Sequence, residues 1–111
     1  MTTRLTADFW VRAYLTRLRL ATIPAYVTRH GDATSGVVLV KLARLDGTAS
    51  LHQRMFDPMA ETRAWHCVGD GAEADLDARL AREMSRDPDL WVIEIEDRAG
   101  RTLLEEPGFD G

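Results

Sequence analysis

The sequence predicts an α+β fold of two layers: a mostly antiparallel sheet of four to six strands with two helices packed on one face. Residues 6–21 and 73–86 show helical periodicity, with apolar side chains three and four positions apart. The strand-like segments between them are joined by short turns, which favour antiparallel neighbours. The densest strand signal, residues 90–95, follows the second helical segment and places Trp91, Ile93 and Ile95 on one face. This segment is predicted to be a central strand with one face in the core.

The first helical segment begins at Thr6, a residue type that caps helix N-termini, and carries Asp8 in its first turn. Its apolar stripe consists of Phe9, Trp10, Ala13, Tyr14, Leu18 and Ala21. Its other surface is basic and carries Arg12, Arg17 and Arg19. Such a surface binds RNA or a phosphate ligand, or it is a solvated face that meets carboxylates, and the acidic total favours the second interpretation.

Four strand segments are predicted between the helices: residues 25–29, 37–45, 48–56 and 62–68. In the second segment Val38, Val40 and Leu42 are expected to face inward, because the opposite parity carries Lys41. Asp46-Gly47 predicts a two-residue type I′ turn, since that turn needs positive φ at both positions. The fourth segment is expected to place Trp65 and Cys67 inward and His66 on the other face, and residues 69–71 are expected to form a loop.

The second helix is predicted over residues 73–86, with Leu76, Leu80 and Met84 directed at the sheet. After the strand at 90–95, residues 101–104 are expected to return as a short hairpin partner. We expect one domain over residues 1–104 and a frayed acidic tail over residues 105–111.

Composition excludes several classes of protein. The chain has 111 residues and a formal net charge of −4, which gives no general attraction for nucleic acid. Its single cysteine permits no internal disulfide and favours a reducing compartment, so the cytoplasm is expected. No apolar stretch approaches the length of a membrane span or of a signal-peptide core, so neither membrane insertion nor secretion is expected.

No catalytic residue, metal ligand set or cofactor motif is predicted. His66-Cys67 are adjacent on a strand and so point to opposite faces, although His52 meets His66 if their strands pair. Cys67 is expected to be a buried structural cysteine. His30-Gly31-Asp32 is interpreted as a turn. A small enzyme that uses His30 or His66 with a carboxylate remains an alternative.

Four short segments follow one another along the chain: Phe9-Trp10-Val11, residues 45–49, Gly69-Asp70-Gly71 and residues 87–97. In this order the sequence resembles a small bacterial family of unknown function, DUF1491, from about Leu5 to Leu104. The segment 87–97 is the most specific part of the resemblance. The resemblance implies no activity, cofactor or catalytic residue.

These observations favour a non-enzymatic interaction or regulatory module, with a homodimer as one form. An exposed strand edge, or the outward residues Val37, Leu39 and Val92, is expected to meet the partner. The alternatives are the small histidine enzyme and an RNA or phosphate site on Arg12, Arg17 and Arg19.

Overall fold

The computed structural model describes residues 5–59 and 61–109. The elements in chain order are α1 (Ala7–Leu20), β1 (Ala25–Arg29), β2 (Val38–Ala43), β3 (Thr48–Asp57), β4 (Thr62–Ala72), α2 (Glu73–Arg86) and β5 (Trp91–Glu96). The five strands form one sheet in the order β1-β5-β2-β3-β4. β2 and β5 are parallel and the other neighbours are antiparallel, so the predicted α+β class with a mostly antiparallel sheet is confirmed.

Helix α1 begins as predicted. The Thr6 hydroxyl accepts a hydrogen bond from the Phe9 amide at 3.2 Å, and Asp8 lies in the first turn. Trp10, Tyr14 and Leu18 are buried, as the helical spacing predicts. Phe9 lies at the edge of the stripe and is exposed, so its assignment to the core was wrong.

The central strands β2 and β5 are buried on both faces, and this corrects the predicted layering. Val38, Val40 and Leu42 of β2 and Trp91, Ile93 and Ile95 of β5 share a core cluster with α1. Residues of the opposite parity, Leu39 and Val92, share a second cluster with Leu76 and Leu80 of α2. Because alternate side chains point to opposite faces of a sheet, α1 and α2 cover opposite faces. The prediction that both helices pack on one face was therefore wrong.

The second core explains two further differences. Leu39 and Val92 are packed under α2, so they are not available to a partner, whereas Val37 is exposed. Lys41 shares their face and is only 4% exposed, although the sequence alone suggested a solvated position. A strand that is apolar at both parities is typical of a sheet covered on both faces.

The turn between β2 and β3 is a wider loop than the predicted type I′ turn. Positive φ occurs at Leu45 and Gly47, with values of 64° and 89°. The Asp46 carboxylate accepts hydrogen bonds from the amide and hydroxyl of Thr48 at 2.9 and 2.6 Å. This bonding fixes the loop around Asp46, whose side chain mimics a backbone acceptor.

Strand β4 continues through Gly69-Asp70-Gly71, so the prediction of a loop there was wrong. Leu51 pairs with Gly69 while His52 pairs with Cys67, which leaves Val68 as the extra residue of a bulge. Gly69 packs closely against α2, where an added Cβ would lie 3.0 Å from Arg79 Nη1 and 3.1 Å from Leu76 Cδ2. Gly69 therefore allows the strand to run close beneath the helix.

The β3–β4 hairpin extends beyond the rest of the sheet. β2 pairs with β3 only from Ala49 to Gln53, and residues 54–57 pair only with residues 62–65 among the described residues. The end of this two-stranded extension carries the exposed apolar side chains Met55, Phe56 and Met59. We call these three residues the apolar tip.

The C-terminal segment has no strand, so the expected hairpin partner at residues 101–104 was wrong. Leu104 is buried against α1's face of the sheet. Of the predicted frayed tail the structure describes residues 105–109, and these contact the domain: Glu106 accepts two hydrogen bonds from Arg17, and Phe109 packs on Trp10 and Tyr14. Apolar contact with Phe109 offsets the entropy that favours fraying. Among the described residues, no helix has the length and apolarity that crossing a membrane requires.

Candidate functional site

A cleft of about 590 Å³ opens between the β3–β4 hairpin and the segment 102–105, on the face of the sheet that α1 covers. β3 and β4 supply one wall and the C-terminal segment supplies the other. The lining residues are His52, Thr62, Arg63, Ala64, Trp65, Thr102, Leu104 and Glu105. We call this feature the ribbon cleft.

His52 is held at the base of this wall by Ser50, two positions earlier on the same face of β3. Its Nε2 lies 2.8 Å from the Ser50 hydroxyl. Burial lowers the pKa of His52, the charge of Arg44 lowers it further, and the carboxylates Asp70 and Glu105 oppose the shift. The imidazole is therefore neutral at pH 7.

The opposite wall is fixed by hydrogen bonds around Thr102. The Tyr14 hydroxyl donates to the Thr102 carbonyl at 2.7 Å, and the Leu104 amide donates to the Thr102 hydroxyl at 3.3 Å. That hydroxyl also donates to the Glu105 carboxylate at 3.3 Å. Burial raises the pKa of Tyr14, and the nearby charge of Glu105 adds to the rise, so the phenol stays protonated. Glu105 is thus held at the cleft by a bonded turn.

Trp65 joins the ribbon cleft to the main core. Its ring stacks on Trp10 with centroids 5.2 Å apart, and its Nε1 donates to the Phe109 carbonyl at 2.6 Å. The Arg54 guanidinium lies 5.8 Å from the centroids of both indoles, within cation–π range. The aromatic wall of the cleft is therefore rigid.

The hydroxyl beside His52 is not accessible from the cleft. Ser50 is only 1% exposed, so its hydroxyl cannot reach a substrate in spite of its contact with His52. A nucleophile must be accessible as well as close to a base. The ribbon cleft offers charged, hydroxyl and aromatic groups for recognition.

The arginine surface predicted on α1 is partly neutralised. Arg12 lies 3.4 Å from Asp8, and Arg17 pairs with Glu106 at 2.8 Å. Arg19 is exposed. Solvated ion pairs account for two of the three residues, and binding of RNA or phosphate through Arg12, Arg17 and Arg19 stays a prediction.

His30-Gly31-Asp32 serves a turn, as the sequence suggested. The Asp32 carboxylate accepts hydrogen bonds from the amides of Thr34 and Ser35 at 3.1 and 2.9 Å, and these bonds lower the pKa of Asp32. The His30 ring lies against Trp91, with centroids 4.0 Å apart. Neither residue lines the ribbon cleft.

The histidines do not assemble a metal site. His52 pairs with Cys67 and Gln53 pairs with His66, so His52 and His66 point to opposite faces of the hairpin. Over residues 5–59 and 61–109 no group of three histidine, cysteine or carboxylate side chains is arranged to hold an ion. Cys67 is exposed, and the prediction that it is buried was wrong because β4 is an edge strand.

Sequence reasoning missed the ion cluster around Lys41. Its ammonium contacts Glu73 and Asp77 of α2, each at 2.7 Å, and Glu94 of β5 at 3.2 Å. Burial by itself lowers the pKa of Lys41, but the hydrogen bonds that its ammonium donates to Asp77, Glu73 and Glu94 outweigh this effect, and the net pKa is raised. The sequence feature that could have indicated this cluster was a single lysine within an apolar strand. Its partners lie on other elements, so spacing along the chain does not identify them.

The comparisons with known proteins agree with this architecture. Residues 5–105 match a family model described as a protein of unknown function, DUF1491. The chain belongs to the DUF1491 family. The resemblance carried by segment 87–97 and the three earlier signals is thereby confirmed, and the DUF1491 description assigns no activity.

Three solved structures are similar to this chain. The crystal structure of a DUF1491 family protein from Caulobacter crescentus CB15 is 44% identical with a TM-score of 0.84, over 94% of this chain and 98% of that one. An NMR structure of a DUF1491 family protein from the same organism is 42% identical with a TM-score of 0.80, over 96% and 97%. A solution structure of a protein from A. tumefaciens is 27% identical with a TM-score of 0.70, over 85% and 86%.

Comparison with curated proteins gives no match. Neither the DUF1491 description nor the matched structures name an enzyme or a nucleic-acid-binding protein.

Proposed function

We propose that this protein is a non-enzymatic interaction domain that forms a homodimer through the free edge of β4. The carrying observation is the length and position of that strand: β4 has 11 residues, ends the sheet, and is bonded to β3 alone among the described strands. The row of outward N–H and C=O groups on such an edge is a template for another strand.

A second copy of the chain fits this edge. A two-fold axis through an edge strand pairs it antiparallel with its own copy, so both strands have the same length and the contact closes on itself. The other edge of the sheet, β1, has only 5 residues and an irregular register after Val27. The longer β4 offers more backbone hydrogen bonds to a partner.

The charges along β4 favour the antiparallel copy. Arg63 lies opposite Phe56 and Asp70 lies opposite Ser50, so both charged side chains are on the same face of the hairpin, near opposite ends of the strand. Antiparallel pairing of two copies brings Arg63 of each chain towards Asp70 of the other, where it adds a second cation beside the carboxylate that already pairs with Arg44. Opposite charges across a strand pair stabilise it.

The apolar tip adds exposed hydrophobic surface at the end of the hairpin where β4 begins. Phe56 is 61% exposed and Met59 is 93% exposed. Grouped apolar side chains on a protein surface mark interaction sites, because water leaves them when a partner covers them. The tip lies at the end of the hairpin where β4 begins, so a partner on the first residues of β4 can also contact it.

Light scattering of the purified chain tests the proposal. At a concentration on the order of 10 µM, a dimer with a Kd of about 1 µM is mostly paired and gives twice the chain mass. Arg63→Glu places a carboxylate near the partner's Asp70, and we expect it to give the monomer mass. Arg98→Glu, an exposed arginine in the turn after β5, is the matched control and stays dimeric.

The apolar tip is tested separately. Phe56→Glu is expected to shift the equilibrium towards monomer, and Leu20→Glu, which changes an exposed leucine at the end of α1, is not. A wild-type chain that has the monomer mass at this concentration and at tenfold higher concentration overturns the proposal. Equal dissociation of the Arg63→Glu and Arg98→Glu variants overturns the β4 interface.

The exposed thiol of Cys67 also supports a location in the cytoplasm, where thiols stay reduced. Oxidising compartments favour paired cysteines, and this chain contains one.

A further inference from the structure

Within one copy of the chain, the ribbon cleft contains two opposite charges that have no charged partner among the described residues. Arg63 and Glu105 both line it. In residues 5–59 and 61–109 neither of them takes part in an ion pair, so their charged atoms lie farther apart than 4.0 Å. By contrast, Arg44 and Asp70, farther along the hairpin, form an ion pair at 2.7 Å.

The rest of the lining is uncharged. His52 is neutral at pH 7, Thr62 and Thr102 carry hydroxyl groups, and Trp65 and Leu104 supply apolar surface. The cleft therefore has one positive and one negative group across a gap, with zero net charge. A ligand with a single charge would pair with only one of these groups and leave the other facing it without a partner.

We propose that the ribbon cleft binds a small zwitterion of the peptide type, with its carboxylate on Arg63, its ammonium on Glu105 and its side chain against Trp65. Charge-assisted hydrogen bonds to guanidinium and carboxylate groups are the strong ones, and the planar fork of arginine matches a carboxylate. The cleft volume of about 590 Å³ lies within the range of about 300–1,000 Å³ that is typical of small-molecule sites.

Two of the three contacting residues are already held in place. Glu105 accepts from the Thr102 hydroxyl, and the Thr102 carbonyl is bonded to the Tyr14 hydroxyl. Trp65 is fixed by its bond to the Phe109 carbonyl and by its stack on Trp10. A preorganised site loses less conformational freedom when the ligand binds.

The experiment uses three dipeptides that differ by one charge each. Alanyl-phenylalanine carries both charges, its N-acetyl form lacks the ammonium, and its C-terminal amide lacks the carboxylate. Binding to the wild-type chain at pH 7 is followed by NMR through the indole N–H of Trp65. We expect saturable binding of the free dipeptide and about tenfold weaker binding of each blocked form, since one charged contact is lost.

Two variants assign the contacts. Glu105→Gln is expected to bind the free and N-acetylated dipeptides equally, and Arg63→Gln is expected to bind the free and amidated dipeptides equally. Arg98→Gln and Asp75→Asn, which neutralise exposed charges away from the cleft, keep the wild-type preferences. Met55→Glu, which changes an exposed side chain of the apolar tip on the face of the hairpin away from Arg63, also keeps them.

Each outcome of the titrations either supports or overturns the proposed binding of a zwitterion. Binding of phenylalanine in place of the dipeptide, with the same dependence on Arg63 and Glu105, supports the same charge pairing over a shorter span. Equal binding of all three dipeptides by the wild-type chain, or a Trp65 resonance that does not move at millimolar dipeptide, overturns the proposal.

Discussion

Replacing Lys41 with methionine removes the buried cation from the ion cluster that it forms with three carboxylates. Methionine retains most of the lysine stem, so the packing of β2 is kept while the charge is lost. Three carboxylates, Glu73, Asp77 and Glu94, then face one another without a counter-charge. We expect the folded state to lose stability.

The magnitude follows from distance and exposure. In the dielectric of bulk water, unit charges 2.7 Å apart attract by about 1.5 kcal/mol, so the three contacts together supply about 4 kcal/mol, against which the ammonium is desolvated. Breaking a fully buried pair costs about 3–5 kcal/mol. The three carboxylates are 28–53% exposed and regain water, so we expect Lys41→Met to lower the free energy of unfolding by about 2–3 kcal/mol.

Urea unfolding followed by tryptophan fluorescence measures this change, with an unchanged m-value as the sign of a pure stability effect. The charge is isolated by a second variant that combines Lys41→Met with Glu73→Gln, Asp77→Asn and Glu94→Gln. Because a neutral cluster has no repulsion, it is expected to recover much of the loss. A loss below about 0.5 kcal/mol, typical of surface substitutions, or no recovery in the combined variant contradicts the assignment.

Two further predictions concern packing and pH. Gly36→Ala places a Cβ about 2.4 Å from the Asp89 carbonyl oxygen, which is backbone and cannot rotate away, so we expect a loss of about 1–3 kcal/mol in the free energy of unfolding, measured by urea titration. Burial lowers the pKa of His52 below 6.5, so the unfolded chain binds more protons there and stability rises with pH in the window just below 6.5. His52→Gln is expected to reduce this slope by at most about 1.4 kcal/mol per pH unit, and an unchanged slope in a pH series of urea titrations refutes it.

Sequence patterns predicted a helix or strand correctly where residues within that one segment determine its structure. The Thr6 cap, the bounds of α2 and the buried alternation of β5 all follow from residue type and spacing. The sequence also contained evidence that the second face of the sheet is covered, because Leu39 and Val92 make their strands apolar at both parities. Interpreting them as partner contacts led to the wrong placement of α2.

The ribbon cleft could not be predicted from patterns of residues that are close in the sequence. Its walls come from Arg63 on one side and Glu105 on the other, more than forty positions apart in a chain of 111 residues. The bulge at Val68 changes which face the later residues of β4 occupy, and a composition-based strand prediction contains no such shift. The bonds that hold Thr102 likewise come from Tyr14, at the other end of the chain.

The sequence by itself determined the α+β class, the two helices, the core face of β5 and membership of the DUF1491 family, because these depend on periodicity and on motifs within short segments. Only the tertiary structure decided the strand order, the opposite positions of α1 and α2, the ion cluster of Lys41 and the meeting of Arg63 and Glu105 in one cleft. These features depend on which distant segments pack together. Alternation along one strand fixes its two faces but does not specify which element covers each face.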